Sequence, residues 1–160
     1  MCTPPPEWAV ALIRVESETS IAVAPQRLFD YVTTPALWHT WHPATLAVRG
    51  APPRPLTVGE RAVELIAFGR RRVEAEWVVR ECQAPCLWEI GTATAHGVAR
   101  IVYRVSADPA GARFQRTLEF RSTRWPWRAL DGTVTRYLLR RQSARALANL
   151  KRLLEAAPPP

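Results

Sequence analysis

In Phe114-Gln115-Arg116-Thr117-Leu118-Glu119-Phe120 the apolar positions 114, 118 and 120 share one face of an extended strand, and Arg116 lies on that face with them. A guanidinium directed into an interior needs a partner, because an unpaired buried charge is costly. Two kinds of partner are open. One is an inward carboxylate, with Glu89 and Glu64 as candidates. The other is a ligand carboxylate, phosphate or carbonyl. His42, just after Trp38 and Trp41, and His96, in a turn before Gly97, are the histidines placed for proton transfer, although a surface or capping role is the plainer reading of each. Tyr137, on a C-terminal helix, carries a phenol that can donate to a carbonyl. The catalytic candidates are therefore His42, Arg116 and Tyr137.

Other chemistry is absent from the sequence. It contains no Gly-x-Ser-x-Gly, no phosphate-binding glycine loop, no His-Glu-x-x-His and no dinucleotide fingerprint. No dedicated nucleophile is in view. Cys82 and Cys86 have no second ligand pair after them, so they read as ordinary thiols rather than a zinc site. With Cys2 they make an odd set of three, which argues against a disulfide framework. No metal and no cofactor is expected.

The elements that must position these residues follow from periodicity and turn chemistry. Val10 to Val23 alternates as a first strand. Pro25 opens a short helix with Leu28, Phe29 and Val32 on one side. Thr34-Pro35 reads as an N-cap with proline at the first helical position, starting a second short helix that carries Leu37, Trp38 and Trp41. Six strands follow: Leu46–Gly50, Gly59–Phe68, Arg71–Cys82, Leu87–Thr94, Val98–Ala107 and Arg113–Arg121. Gly69-Arg70, His96-Gly97 and Asp108-Pro109-Ala110-Gly111 separate them, and such short connections predict an antiparallel meander. In 100–107, Ile101, Tyr103 and Val105 form the inward face.

A long helix runs from about Trp127 or Leu130 to Ala156. It has two apolar sides: Leu130, Val134, Tyr137 and Leu138 on one, and Leu139, Ala146, Leu147, Leu150 and Leu154 on the other. The expectation is that its C-terminal half seals the sheet while its N-terminal half faces a cavity. One face of a seven-stranded sheet must be covered, and only this helix is large enough. A curved sheet around a helix leaves a gap suited to a ligand. Residues 1–8 read as a disordered N-terminal segment, 9–156 as a single domain and 157–160 as a disordered tail.

Net charge is +8, and 21 of the 22 basic residues are arginine. Residues 121–155 hold nine bases against two acids, so the positive character belongs to the C-terminal element, which suits an anionic partner. Arg136, Arg140, Arg141 and Arg145 would form a stripe. Trp125-Pro126-Trp127, flanked by Arg124 and Arg128, reads as a loop closing a cavity mouth or as a membrane-surface contact. Nothing resembles a nucleic-acid module. No run of about 18 apolar residues exists for a membrane helix, and residues 1–8 lack the pattern of a secretory signal, so a cytoplasmic location is expected.

Ala24-Pro25-Gln26-Arg27-Leu28-Phe29-Asp30-Tyr31-Val32 and Trp38-His39-Thr40-Trp41-His42-Pro43, in this order of elements, resemble the START-related or SRPBCC superfamily. Gly59-Glu60-Arg61, Ala112-Arg113-Phe114 and Ala148-Asn149-Leu150-Lys151-Arg152-Leu153-Leu154-Glu155 fit the same pattern. The superfamily is also called polyketide cyclase/dehydrase-like and shares the birch-pollen-allergen fold. The resemblance covers about residues 16 to 155. It implies an α+β helix-grip, in which a curved seven-stranded antiparallel sheet wraps a long C-terminal helix around an apolar cavity. It further implies that Trp38, Trp41, His42, Trp77, Trp88, Tyr103, Phe114, Arg116, Leu130, Val134 and Tyr137 line a ligand site.

Three functions are compatible with this. The first is binding or transport of a hydrophobic small molecule or lipid. The second is a polyketide aromatase/cyclase-like enzyme, with His42, Tyr137 or Arg116 assisting and the basic helix docking an acidic carrier protein. The third is a peripheral module on an anionic membrane. The first asks only for a cavity and is preferred.

Overall fold

A computed structural model describes residues 13–123 and 131–156. The segments 1–8 and 157–160, the loop Trp125-Pro126-Trp127, Leu130 and the first residues of the expected first strand lie outside the described residues.

The chain runs β1 (Ile13–Ile21), α1 (Pro25–Val32), a 3-10 turn (Pro35–Leu37) leading into α2 (Trp38–Trp41), and then β2 (Thr45–Arg49). Next come β3 (Arg61–Phe68), β4 (Arg71–Gln83), β5 (Leu87–Ala93), β6 (Gly97–Asp108) and β7 (Gly111–Ser122). A π-helical turn (Asp131–Thr135) then leads into α3 (Arg136–Ala156). The sheet order is β1-β7-β6-β5-β4-β3-β2, all antiparallel. Strands β2 to β7 form the meander expected from the short turns. β1 adds to its far side, from Ile13 opposite Phe120 to Ile21 opposite Ala112. Gly111 closes the β6–β7 turn at φ 135°, a conformation open to glycine, where a Cβ would stand 2.6 Å from the Ile21 carbonyl oxygen.

Strand alternation sets the two faces. Ala112, Phe114, Arg116 and Leu118 of β7 are buried on the concave side, as are Ile101, Tyr103 and Val105 of β6. The convex face carries a charge ladder: Arg100 donates to Glu89 at 2.7 Å and to Glu119 at 3.1 Å. Glu89 was a candidate partner for Arg116. It belongs instead to this outer ladder, because Trp88 and Ile90 on either side of it take the inward positions.

α3 lies across the concave face on a single buried stripe of Leu139, Ser143, Ala146, Leu147, Leu150 and Leu154. Each fully buried leucine contributes about 1.5–3 kcal/mol. This corrects the two-sided expectation. Val134 and Tyr137 are 53% and 62% exposed. Two physical reasons account for it. The π-helical turn over Asp131–Thr135 adds a residue per turn and rotates 134 off the line of α3. Ser143, one turn after Leu139, continues the stripe where an apolar residue was sought. Lys151 donates to the Ser20 carbonyl (2.5 Å), and Glu155 accepts from the Ala22 N–H (3.0 Å), which fixes the helix end to the end of β1. Asn149 donates to the Trp41 carbonyl (3.2 Å) and ties α3 to α2.

Thr34 holds the N-cap position with Pro35 at the first helical position, as expected, but its side chain makes no capping bond. Its hydroxyl donates back to the Asp30 carbonyl at 2.7 Å, and the element that Pro35 starts is a 3-10 turn.

Candidate functional site: a cavity under the C-terminal helix

Between the concave face, α2 and the first half of α3 lies a cavity of about 370 Å³. Its outer end is framed by Gly69, Arg70 and Arg71 of the β3–β4 hairpin, by His96 in the β5–β6 turn, and by Thr135, Leu138 and Gln142 of the π turn and α3. Its middle is apolar, with Ile66, Ala99, Ile101, Leu118 and a tilted Phe68–Phe120 pair at 6.3 Å. The inner end holds Trp41, His42, Glu64, Trp77, Tyr103, Arg116 and Ser143.

Arg116 is 4% exposed. β7 places it opposite Tyr103 on β6 and Ser17 on β1. Its Nη1 donates to the Ser143 hydroxyl at 2.7 Å, bridging sheet and helix, and its Nη2 approaches His42 Nε2 at 3.4 Å. No carboxylate of the described residues forms an ion pair with it. Glu64, the other expected partner, is inward, but it accepts from Trp77 Nε1 (2.7 Å) and from the Thr45 hydroxyl. Burial raises the Glu64 pKa, against the pull of Thr45, Trp77 and the Arg116 charge.

Part of His42 reaches the surface, yet its Nδ1 is buried. Burial first and the Arg116 charge second hold its pKa down at about 3, so the ring is neutral near pH 7. With Nε2 accepting from Arg116, the ring proton sits on Nδ1, which has no partner. Trp41 Nε1, Arg116 Nε and Thr92 Oγ1 are buried without partners as well. Native proteins leave few such groups unpaired. Burial also raises the Tyr103 pKa, opposed by Arg116, so its phenol stays protonated.

The aromatic residues divide. Trp38, Trp41, Trp77 and Tyr103 line the cavity. Trp38 also donates to the Val32 carbonyl at 2.9 Å. Trp88 and Phe114 stand behind that lining. Trp88 donates to the Leu56 carbonyl at 3.0 Å and stacks on Tyr103 at 5.5 Å, while Phe114 packs edge-on against Tyr103 and Trp41. Val134 and Tyr137 are on the exposed side of the helix, and Leu130 lies outside the described residues. Sequence reasoning missed Ser143, Thr92, Leu139 and Gln142. The signal for Ser143 was its spacing of four from Leu139 and three from Ala146. Cys82 is half-buried and Cys86 exposed, and the described residues hold no group of three or more metal-ligating side chains.

Residues 13–155 match the family described as polyketide cyclase / dehydrase and lipid transport. The chain belongs to this family. Among solved structures, this family member is similar to protein MLL2253 of Mesorhizobium loti at 16% identity, covering 91% of this chain and 99% of that one with a TM-score of 0.68. It is also similar to Bacillus halodurans BH1534 at 12% identity, covering 89% and 96% with a TM-score of 0.66. Ara h 8.0201 matches at 10% identity over 91% and 99%, with a TM-score of 0.66. These likenesses establish the helix-grip fold. No curated protein matches. A polyketide cyclase/dehydrase and lipid transport domain of this fold has a general hydrophobic-ligand-binding role. No helix among the described residues is long and apolar enough to cross a membrane.

Proposed function

We propose that this domain binds or transports a hydrophobic small molecule or lipid held between the sheet and α3. The observation that carries the reading is the cavity of about 370 Å³ with an apolar, aromatic wall, a size within the usual range of small-molecule sites. Trp38, Trp41, Trp77, Tyr103 and Arg116 are the expected contacts retained from the sequence, with Ile66, Leu118 and Leu139 added.

The cyclase-like alternative needs a group that exchanges protons near neutral pH. His42, with its pKa at about 3, is a hydrogen-bond donor rather than a base that can be recharged in turnover. Tyr137 is turned away from the cavity. The binding reading is therefore favoured. The exposed Arg140, Arg141 and Arg145 of α3 support an acidic surface as partner.

The test is displacement of a polarity-sensitive fluorophore, with native mass spectrometry of protein purified from cells. Uptake of the fluorophore, its displacement by apolar compounds and a retained apolar molecule are expected. Ala99→Trp, which projects into the cavity, should weaken uptake at least tenfold while changing stability by less than about 1 kcal/mol, because empty space receives the ring. A protein that takes up nothing, or an Ala99→Trp variant that binds as well as the parent, would overturn the reading.

A further inference from the structure

At the inner end of the cavity the unmet polar needs are of one kind. Trp41 Nε1, His42 Nδ1 and Arg116 Nε are all N–H donors without an acceptor. A donor is satisfied only by an acceptor, so the complementary ligand group presents oxygens rather than an amine. Charge narrows the choice. The Arg116 guanidinium is buried, and its hydrogen-bonded neighbours, Ser143, His42 and the Tyr103 phenol, are neutral. Glu64 is turned to Thr45 and Trp77, and burial favours its uncharged form. Nε and Nη2 share one edge of the guanidinium fork. Nε has no partner and Nη2 meets His42 at a long 3.4 Å, so this edge matches the two oxygens of one carboxylate.

We propose that the cavity takes an amphipathic monocarboxylate head first, its carboxylate on the Nε–Nη2 edge of Arg116 near Trp41 and its apolar tail running past Leu118 and Phe120 toward the β3–β4 hairpin. One buried cation matches one anionic charge, and the apolar middle of the cavity matches a tail without polar groups. This assignment rests on the ligand-binding function proposed above and adds the class and orientation of the ligand.

The experiment compares decanoate, decanol and methyl octyl ketone, which have similar tails and differ in the head, as competitors of a bound fluorophore at neutral pH. Decanoate should bind about tenfold or more tightly than either neutral compound, the gain expected of charge-assisted hydrogen bonds. In Arg116→Met, with its fold checked by circular dichroism, that preference should vanish while decanol affinity stays within about twofold. Equal binding of all three by the parent overturns the carboxylate assignment and leaves the ligand-binding function standing. Displacement by none of them overturns the carboxylate assignment, and a protein that takes up no fluorophore overturns both. The parent comparison needs no variant, so it decides the matter even if Arg116→Met does not fold. A ketone as tight as the acid would also overturn the assignment.

Discussion

Arg116→Met in the ligand-free protein should be more stable than the parent. The guanidinium is 4% exposed, has no ion-paired carboxylate among the described residues, and meets neutral partners, the Ser143 hydroxyl at 2.7 Å and the Tyr103 phenol. Losing a charge-assisted hydrogen bond costs about 1.5–3 kcal/mol. Relief from burying an uncompensated cation is worth several kcal/mol, and replacing buried ionic groups by apolar ones of similar volume has stabilised proteins by about 1–4 kcal/mol. Methionine keeps the unbranched stem against Leu118 and Tyr103. The balance is a gain of about 1–2 kcal/mol, or a rise in Tm of about 2–8 °C for a domain of this size. Denaturant and thermal unfolding at pH 7 measure it. A double-mutant cycle with Ser143→Ala sharpens it. That change should cost about 1–3 kcal/mol in the parent, where it strands Nη1, and little in the methionine background. A loss of more than about 2 kcal/mol in Arg116→Met would show that the arginine holds the sheet to the helix, and would refute the reasoning.

His42, held at about 3 instead of 6.5, stays neutral in the fold while the unfolded chain takes up a proton below pH 6.5. Its contribution is complete above that pH and is lost as pH falls toward 3, at up to about 1.4 kcal/mol per pH unit. His42→Gln should therefore show a flatter stability profile across that window, by denaturant unfolding at stepped pH. Glu64 acts in the opposite sense. Its raised pKa makes the folded state hold a proton that the unfolded chain releases, so stability drops as pH climbs above the ordinary 4.5. Glu64→Gln should gain on the parent above that pH and match it below, and a constant difference at all pH values would count against the buried-acid account. Tyr137→Ser, at an exposed position, should leave fluorophore binding unchanged and alter stability by less than about 0.5 kcal/mol, measured by titration and thermal melts.

Local patterning was enough for much of the architecture. Strand alternation placed Arg116, Tyr103 and Phe114 on the inner face, and Pro25, Gly69, Asp108 and Gly111 marked boundaries through backbone restrictions that act residue by residue. The order of elements led to the helix-grip. Pairing of β1 with β7, by contrast, joins residues about 100 positions apart, and the register that faces Ile13 with Phe120 is a property of the assembled sheet.

The site was less legible. Periodicity tells which residues share a face but not how far each stands from empty space. Trp88 and Phe114 have the same parity and chemistry as residues that line the cavity, yet packing puts them behind it. Tyr137 and Val134 fit an apolar stripe that a π-helical turn displaces, and a serine completes the real one. Alternation along β7 alone sends a charged side chain into a greasy interior, since it leaves that position no other direction. That it meets a hydroxyl and a neutral imidazole rather than a carboxylate follows from assembly, because those partners arrive from α3 and the end of α2, elements distant in sequence, whose positions are set by the packing of the whole sheet.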